Sequence, residues 1–414
     1  MLLFLHIIGT TIGGGFLALP AVVAPSGFFP SAITLICVWL YFLAQSFVLV
    51  ECITRAKSDN TSAQQQDQDQ SIAATAKSVF GVKGEIIFGT LLTILIQATL
   101  VSQISRAGMM FPNYRLGCLI SALSISGIVF GPKSGIIFAS KANAILTSMF
   151  LVSCMAVFGC GVQIADWSNL TLNSNWSSVF PAIPTFLQLL VYGEIIPSIC
   201  EMLKYNTKHV HSAIVLGSFM TLCLQIGWSG LGLCLVSSSS SLRVDPVNIL
   251  LSSSGPVQIP LFCLAFTAIL TTILGSYLAL LSTTNNLLNR MNTTRSSIKK
   301  STSYSNSLAQ RMKVASIISI PAILIACTSP NIFLQAIDFA GSYPVLILWG
   351  ILPPVMNLLQ RNRMGKGSSD EGEVASTDLQ TAGPSGWITL LGTMSLAMAV
   401  KYFIEDFMSL FKIV

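Results

Sequence analysis

Long apolar runs separated by short polar breaks set the pattern of this chain along its whole length. Eleven runs stand out, near 2–23, 30–54, 84–108, 116–131, 142–164, 180–202, 211–236, 258–283, 312–328, 331–358 and 386–411. A helix of roughly 20 apolar residues spans the ~30 Å hydrocarbon core of a bilayer. A helix is required, because lipid offers no partner for a free backbone N–H or C=O. The fourth and ninth runs are short for a span and the last is long. The pattern predicts an all-α integral membrane protein with about 11 transmembrane helices.

Polar stretches at 57–78, 289–311 and 365–383 bury too little apolar surface to offset chain entropy, and are expected to be mobile loops. None reads as a domain, so residues 1–414 form one transmembrane domain. Composition agrees: 52% of residues are hydrophobic and 9% charged, against about 25% charged in a soluble domain. The net charge of +6 matters through its placement. With the N-terminus in the cytoplasm, the basic residues fall in inner loops, apart from Arg106, Arg115, Arg243, Lys401 and Lys412. A wrong span count would scramble that asymmetry. No nucleic-acid partner is expected.

The opening run lacks a basic flank and an A-x-A cleavage site, so it reads as the first span, not a signal peptide. No charged residue precedes it, and further N-terminal residues upstream are an expectation. Asn169 and Asn175 head sequons in an expected outer loop, 166–178, free of Lys and Arg. The ten Cys lie in or beside apolar runs with no CxxC pair, and read as small buried hydrophobes. His6, His209 and His211 form no metal constellation. No HExxH or comparable convergent set appears, so no enzyme chemistry, metal or cofactor is expected.

The most informative segment is Gly9-Thr-Thr-Ile-Gly-Gly-Gly15, inside the first span. Each Gly costs a helix roughly 1 kcal/mol relative to Ala. One reading is close helix packing, for which Gly9 and Gly13 supply a GxxxG pair. The other is a broken helix, whose freed amides face an anionic group and whose freed carbonyls face an ammonium or a cation. A second break is expected in the sixth span, at Gly193, Glu194 and Pro197. Pro197 has no N–H to give the Gly193 carbonyl, which would free that carbonyl. Five spans separate the two breaks. An odd number inverts the second unit, which predicts a 5+5 inverted repeat. The first repeat covers about 1–164, the second about 180–358, and an extra helix about 386–411.

Charge inside a membrane is costly and usually functional. Glu194 is the foremost candidate, as a proton carrier or as a fixed partner of an ammonium. Asp338, near Gly341 and Pro344, and Glu51, near the inner end of span two, are further coupling candidates. Glu51 has the alternative of capping or snorkelling. Gln97 and Gln103 either line a cavity or bridge helices.

The stretch IIGTTIGGGFLALPAVVAPSGF resembles the opening of the hydroxy/aromatic amino acid permeases, the tyrosine- and tryptophan-specific group of the amino acid–polyamine–cation superfamily. QISRAG (103–108), LVYGEIIPSI (190–199), IVLGS (214–218) and LTTILGSYLAL (270–280) are similar to its third, sixth, seventh and eighth spans. The resemblance implies proton-coupled symport of an aromatic amino acid by alternating access. It implies a bacterial-type inner membrane or a plastid envelope. It implies that Gly9, Thr10, Thr11, Ile12, Gly13, Gly14 and Gly15 hold the substrate's carboxylate and amine. Tyr192, Gly193, Glu194 and Gln103 would stand opposite. Thr271 and Thr272 fall where related folds place hydroxyls around a cation site; the alternative is that each bonds its own backbone. Many members carry His where this chain has Gly193, and Ser282 and Asn286 replace acids common in span eight. Alternatives are a sodium-coupled or exchange carrier on the same fold, a transport-deficient receptor, and a channel, against which the two interrupted helices argue.

Overall fold

The computed structural model describes residues 13–61, 72–130, 135–171, 174–235, 255–295, 308–365 and 382–411. Gly13 is extended, and a 3-10 turn, Gly14–Ala18, leads into α1, Leu19–Val23. Then come α2 (Phe28–Thr61), α3 (Ile72–Gly108), α4 (Tyr114–Phe130) and α5 (Gly135–Ile164). Short 3-10 turns, Trp167–Thr171 and Trp176–Ala182, lead into α6 (Ile183–Leu190). The turn Gly193–Ile195 joins it to α7 (Ile196–Met202). The rest are α8 (Thr207–Leu235), α9 (Gln258–Arg295), α10 (Leu308–Ala326) and α11 (Ile332–Ala340). A π-helical stretch, Gly341–Ile351, joins α11 to α12 (Leu352–Gly365), and α13 (Ser385–Phe411) closes the chain. Among the described residues, eight helical stretches are long and apolar enough to cross a membrane; Gly14–Val23, Tyr114–Phe130 and Met312–Ala326 are shorter apolar helices. This is an integral multi-pass membrane protein. Val152 and Met155 of α5, 70% and 72% exposed, carry an apolar surface that hydrocarbon solvates.

The two breaks repeat one device. Gly13 is extended, its carbonyl accepts from Phe16 N–H at 3.0 Å, and α1 opens with Pro20 in its first turn. Val191 is extended, the Tyr192 carbonyl accepts from Ile195 N–H at 3.2 Å, and α7 opens with Pro197 in its first turn. Proline suits that position, where an N–H has no intrahelical partner. The expected release of the Gly193 carbonyl does not occur: it accepts from Ile196 N–H, because a 3-10 turn closes three residues on. The break lies just before Gly193, at Val191 and Tyr192.

Two of the expected loops are shorter than read. Helix α2 continues to Thr61 and α3 begins at Ile72. Ile72, Ala76 and Val79 are buried at helical spacing, so this stretch has an apolar face after all. Gly81 (φ 70°) bends α3, and Arg363 caps the carbonyls before the bend, Ser78 at 3.2 Å and Val79 at 2.7 Å. Likewise α9 runs to Arg295 and α10 starts at Leu308.

Helix α3 packs against α9, α10 and α11, and α9 lies along α5. Helix α2 packs on α8, α12 and the broken sixth span, and α13 covers the π-helical stretch. Basic ends meet. Glu51 of α2 is buried and takes Arg361 of α12 through two nitrogens at 2.9 and 2.8 Å. It also pairs with Arg55 at 2.9 Å and accepts from Ala382 N–H at 2.9 Å. Lys57 sits 5.7 Å from the Tyr205 ring centre.

Candidate functional site

The two breaks face one cavity of about 290 Å³. Gly13 and Gly15 form one wall, and Gln188, Leu189 and Val191 to Ile195 another. Helix α3 contributes Leu95, Ile96, Thr99, Ser102 and Gln103; α5 contributes Asn143 and Thr147. Helix α9 contributes Thr271, Thr272, Gly275, Ser276 and Ala279, and α11 contributes Ile337. Gly9, Thr10, Thr11 and Ile12 lie outside the described residues.

Local sequence explains how the walls are held. Gly14 N–H donates to Thr272 Oγ1 at 2.7 Å, and that hydroxyl donates to the Ala268 carbonyl at 2.8 Å. Thr272 thus ties the first break to α9, and bonds its own backbone as well. Thr271 also donates to Ala268, at 3.0 Å, with its side chain on the cavity wall. Across the cavity, Gln225 of α8 donates to the Leu189 carbonyl at 2.8 Å. That is one of the carbonyls a helix end leaves without an intrahelical partner. Outward from the basic end, Phe16 stacks on Trp228 with ring centres 5.4 Å apart, and Arg106 lies 4.9 Å from the Phe333 ring centre.

The cavity is rich in acceptors. Gln103 is 1% exposed. Its Nε2 donates to Ser102 at 3.1 Å, while Oε1 has no hydrogen-bond partner among the described residues. Gln188 Nε2 donates to Thr99 at 3.3 Å, and its Oε1 is likewise unpartnered, as is Asn143 Oδ1. The Glu194 side chain is open to the cavity and makes no hydrogen bond or ion pair among the described residues. A buried polar group without a partner costs free energy that a complementary ligand recovers. Three amide oxygens and one carboxylate form a setting for a cationic group. Leu95, Ile96, Leu189, Val191, Ala279 and Ile337 supply an apolar remainder.

The structure sorts the candidates from sequence. Gly13, Gly15, Gln103, Tyr192, Gly193, Glu194, Thr271 and Thr272 line the cavity, and Gly14 touches it through Gln103, whose side chain a Cβ there would strike. Gly193 has a steric reason to lack a side chain: its Cβ would lie 2.6 Å from Cδ2 of Trp349. Two coupling candidates stand elsewhere. Glu51 does not line the cavity; it is held in the ion cluster with Arg55 and Arg361. Asp338 accepts a hydrogen bond from Thr185 Oγ1, on the face of α11 turned to α6 and not on the cavity wall. Gln97 bridges to the Ile318 carbonyl of α10 at 2.8 Å. Asn143, Thr147, Thr99, Gln188 and Ser276 were not singled out from sequence. For all but Gln188 the signal is a polar pair one helical turn apart inside an apolar span: Thr99 with Gln103, Asn143 with Thr147, Thr272 with Ser276.

The profile of the tryptophan/tyrosine permease family matches residues 3–368. Tyrosine-specific transport system 1 of Haemophilus influenzae is 24% identical over 369 residues, covering 83% of this chain and 86% of its own. The low affinity tryptophan permease of Escherichia coli O157:H7 is 24% identical over 274 residues, 61% of this chain and 60% of its own. In fold, the crystal structure of MhsT in complex with L-phenylalanine matches over 98% of both chains, with a TM-score of 0.50 at 13% identity.

Proposed function

Since this chain belongs to the tryptophan/tyrosine permease family, we propose that its cavity binds an aromatic amino acid and carries it through the membrane with a proton. The observation that carries this reading is a lone carboxylate, Glu194, beside unpartnered amide oxygens, between two broken helices. The half-helices that begin at Gly14 and at Gly193 turn their N-terminal ends to the cavity. Those ends are positive and suit the substrate carboxylate. Gln103 Oε1, Gln188 Oε1 and Glu194 suit the ammonium. The apolar wall takes the ring. A volume of about 290 Å³ sits at the low end of small-ligand pockets, about 300 Å³ and upwards, which favours a single amino acid over anything larger.

An isolated carboxylate in a low-dielectric interior is costly, and either a proton or a cation relieves it. Proton and substrate therefore share Glu194 as a linkage point. Each break joins rigid packed helices, so rocking about the two breaks exposes the cavity to one side and then the other. The two relatives, a tyrosine-specific transport system and a tryptophan permease, support the aromatic class.

The test is uptake of labelled tyrosine, tryptophan and phenylalanine into proteoliposomes under an inward proton gradient, an inward sodium gradient, or neither. Accumulation with the proton gradient alone is the expected result. Glu194→Gln should abolish that accumulation and leave substrate exchange. Accumulation that follows sodium only would move the coupling to another ion, with Thr271 and Thr272 as its first candidates. No uptake of any of the three by folded protein would end the aromatic assignment.

A further inference from the structure

A second cavity, of about 470 Å³, lies between α10 and the helices α3, α9 and α11. It is larger than the cavity between the breaks and differs from it in chemistry. Of its four polar lining side chains, Thr93, Gln97, Thr284 and Gln335, two are tied to helix backbone: Gln97 Nε2 donates to the Ile318 carbonyl at 2.8 Å, and Thr93 Oγ1 to the Gly89 carbonyl at 2.8 Å. Neither a carboxylate nor a basic side chain lines it. An amino acid substrate would find no charged partner there for its two charged ends, and burying charge without one is costly.

The cavity opens sideways. Ile317 and Ile325 of α10 and Phe339 of α11 are 55%, 46% and 46% exposed at its rim. Its floor is made of residues shielded from the surroundings: Val101 is 3% and Ile318 2% exposed, and Ala98 and Ala336 are each 9% exposed. Pro321 stands mid-helix in α10 and gives the Ile317 carbonyl no N–H. From Ile317 to Ile325 the groove runs along α10 for roughly 12 Å at about 1.5 Å per residue. That is close to one leaflet's share of a hydrocarbon core about 30 Å thick.

We infer that this groove binds one acyl chain of a membrane lipid. Three physical points select that occupant. Water does not settle in an apolar void without polar partners. A void left empty forfeits the dispersion contacts of its whole lining. The neighbouring solvent is hydrocarbon, which reaches the groove through the exposed rim without crossing any polar layer. The bound chain is also placed to affect transport, because three helices separate it from the substrate cavity by their own thickness. Ala98 and Val101 face the groove where Thr99 and Ser102 face the cavity. Leu280 pairs in this way with Ala279, and Ala336 with Ile337.

The experiment uses the intact chain in vesicles of phosphatidylethanolamine doped with the same lipid carrying a diazirine midway along one acyl chain. After irradiation, labelled residues are mapped by peptide mass spectrometry. The expected result is adducts on Val101 and Ile318 in excess of those on Val152 and Met155, although the latter are far more exposed. Ala336→Phe, which fills the groove, and Ile325→Trp, which closes its rim, should each remove the Val101 and Ile318 adducts and spare Met155. Two variants guard against one failing to fold. Labelling that simply follows exposure, with Val101 and Ile318 clean, overturns the proposal. So does persistence of those adducts in both folded variants.

Discussion

Replacing Gly14 with alanine should damage binding and leave folding intact. A Cβ at this position would lie 2.5 Å from Cδ of Gln103, closer than carbon atoms approach, and the three nearest heavy atoms all belong to that one amide. The obstacle is the far end of a flexible side chain at the edge of a cavity, so the amide swings aside and the backbone stays. Residue 14 begins a 3-10 turn that alanine also adopts. Its N–H keeps Thr272. Alanine also recovers roughly 0.5–1 kcal/mol of backbone entropy relative to glycine, which offsets the side-chain move. The loss falls on the ligand. A hydrogen bond to a charged group contributes about 1.5–3 kcal/mol. At about 1.4 kcal/mol per factor of ten, that raises KM roughly ten- to a hundredfold. The assay is the concentration dependence of initial tyrosine uptake into proteoliposomes, with thermal unfolding measured on the same preparation. Gln103→Leu should reproduce the KM change. An unchanged KM in folded Gly14→Ala would refute the placing of Gln103 against the substrate. A large drop in unfolding temperature would show that the backbone, not the amide, gave way.

Other expectations concern the frame around the cavity. Gly193→Ala pushes a methyl into the ring of Trp349, which is 2% exposed and has nowhere to go; the cost is about 1–3 kcal/mol of overpacking, and Trp349→Leu in the same chain should recover much of it in thermal unfolding. Gln225→Leu strips the Leu189 carbonyl of its donor, a loss of about 1–3 kcal/mol that should appear as a lower unfolding temperature and looser substrate binding. Arg361→Met leaves Glu51 with Arg55 and the Ala382 N–H; about 3 kcal/mol is expected, the low end for a broken buried pair. Transport per folded molecule should survive that change, since the cluster lies off the cavity.

Hydropathy alone made the architecture legible. Span length is dictated by bilayer thickness, and helicity by the lack of hydrogen-bond partners in lipid. Both act on consecutive residues, so both can be read along one line. The run Gly13, Gly14, Gly15 and the group Gly193, Glu194, Pro197 marked the two breaks for the same reason: local backbone chemistry decides where a helix stops. The partner of the Gly193 carbonyl is not legible in this way, because a 3-10 turn substitutes the nearer Ile196 N–H for the missing one.

Direction around each helix is what packing had to decide. Gln97 and Gln103 belong to the same span, but six residues place them roughly 240° apart around its axis. One reaches α10 and the other lines the cavity. Glu51 and Glu194 look alike as carboxylates in apolar runs, and only the positions of Arg55 and Arg361 show that the first is neutralised and the second open. Asp338 lies one residue from Ile337, yet Ile337 meets the cavity and Asp338 meets Thr185. The sequence by itself determined depth in the membrane and the points of interruption, since these depend on neighbours in the chain. Which side chains converge depends on contacts between residues far apart along it, such as Gly14 with Thr272 and Gln225 with Leu189, and only the tertiary structure decides those.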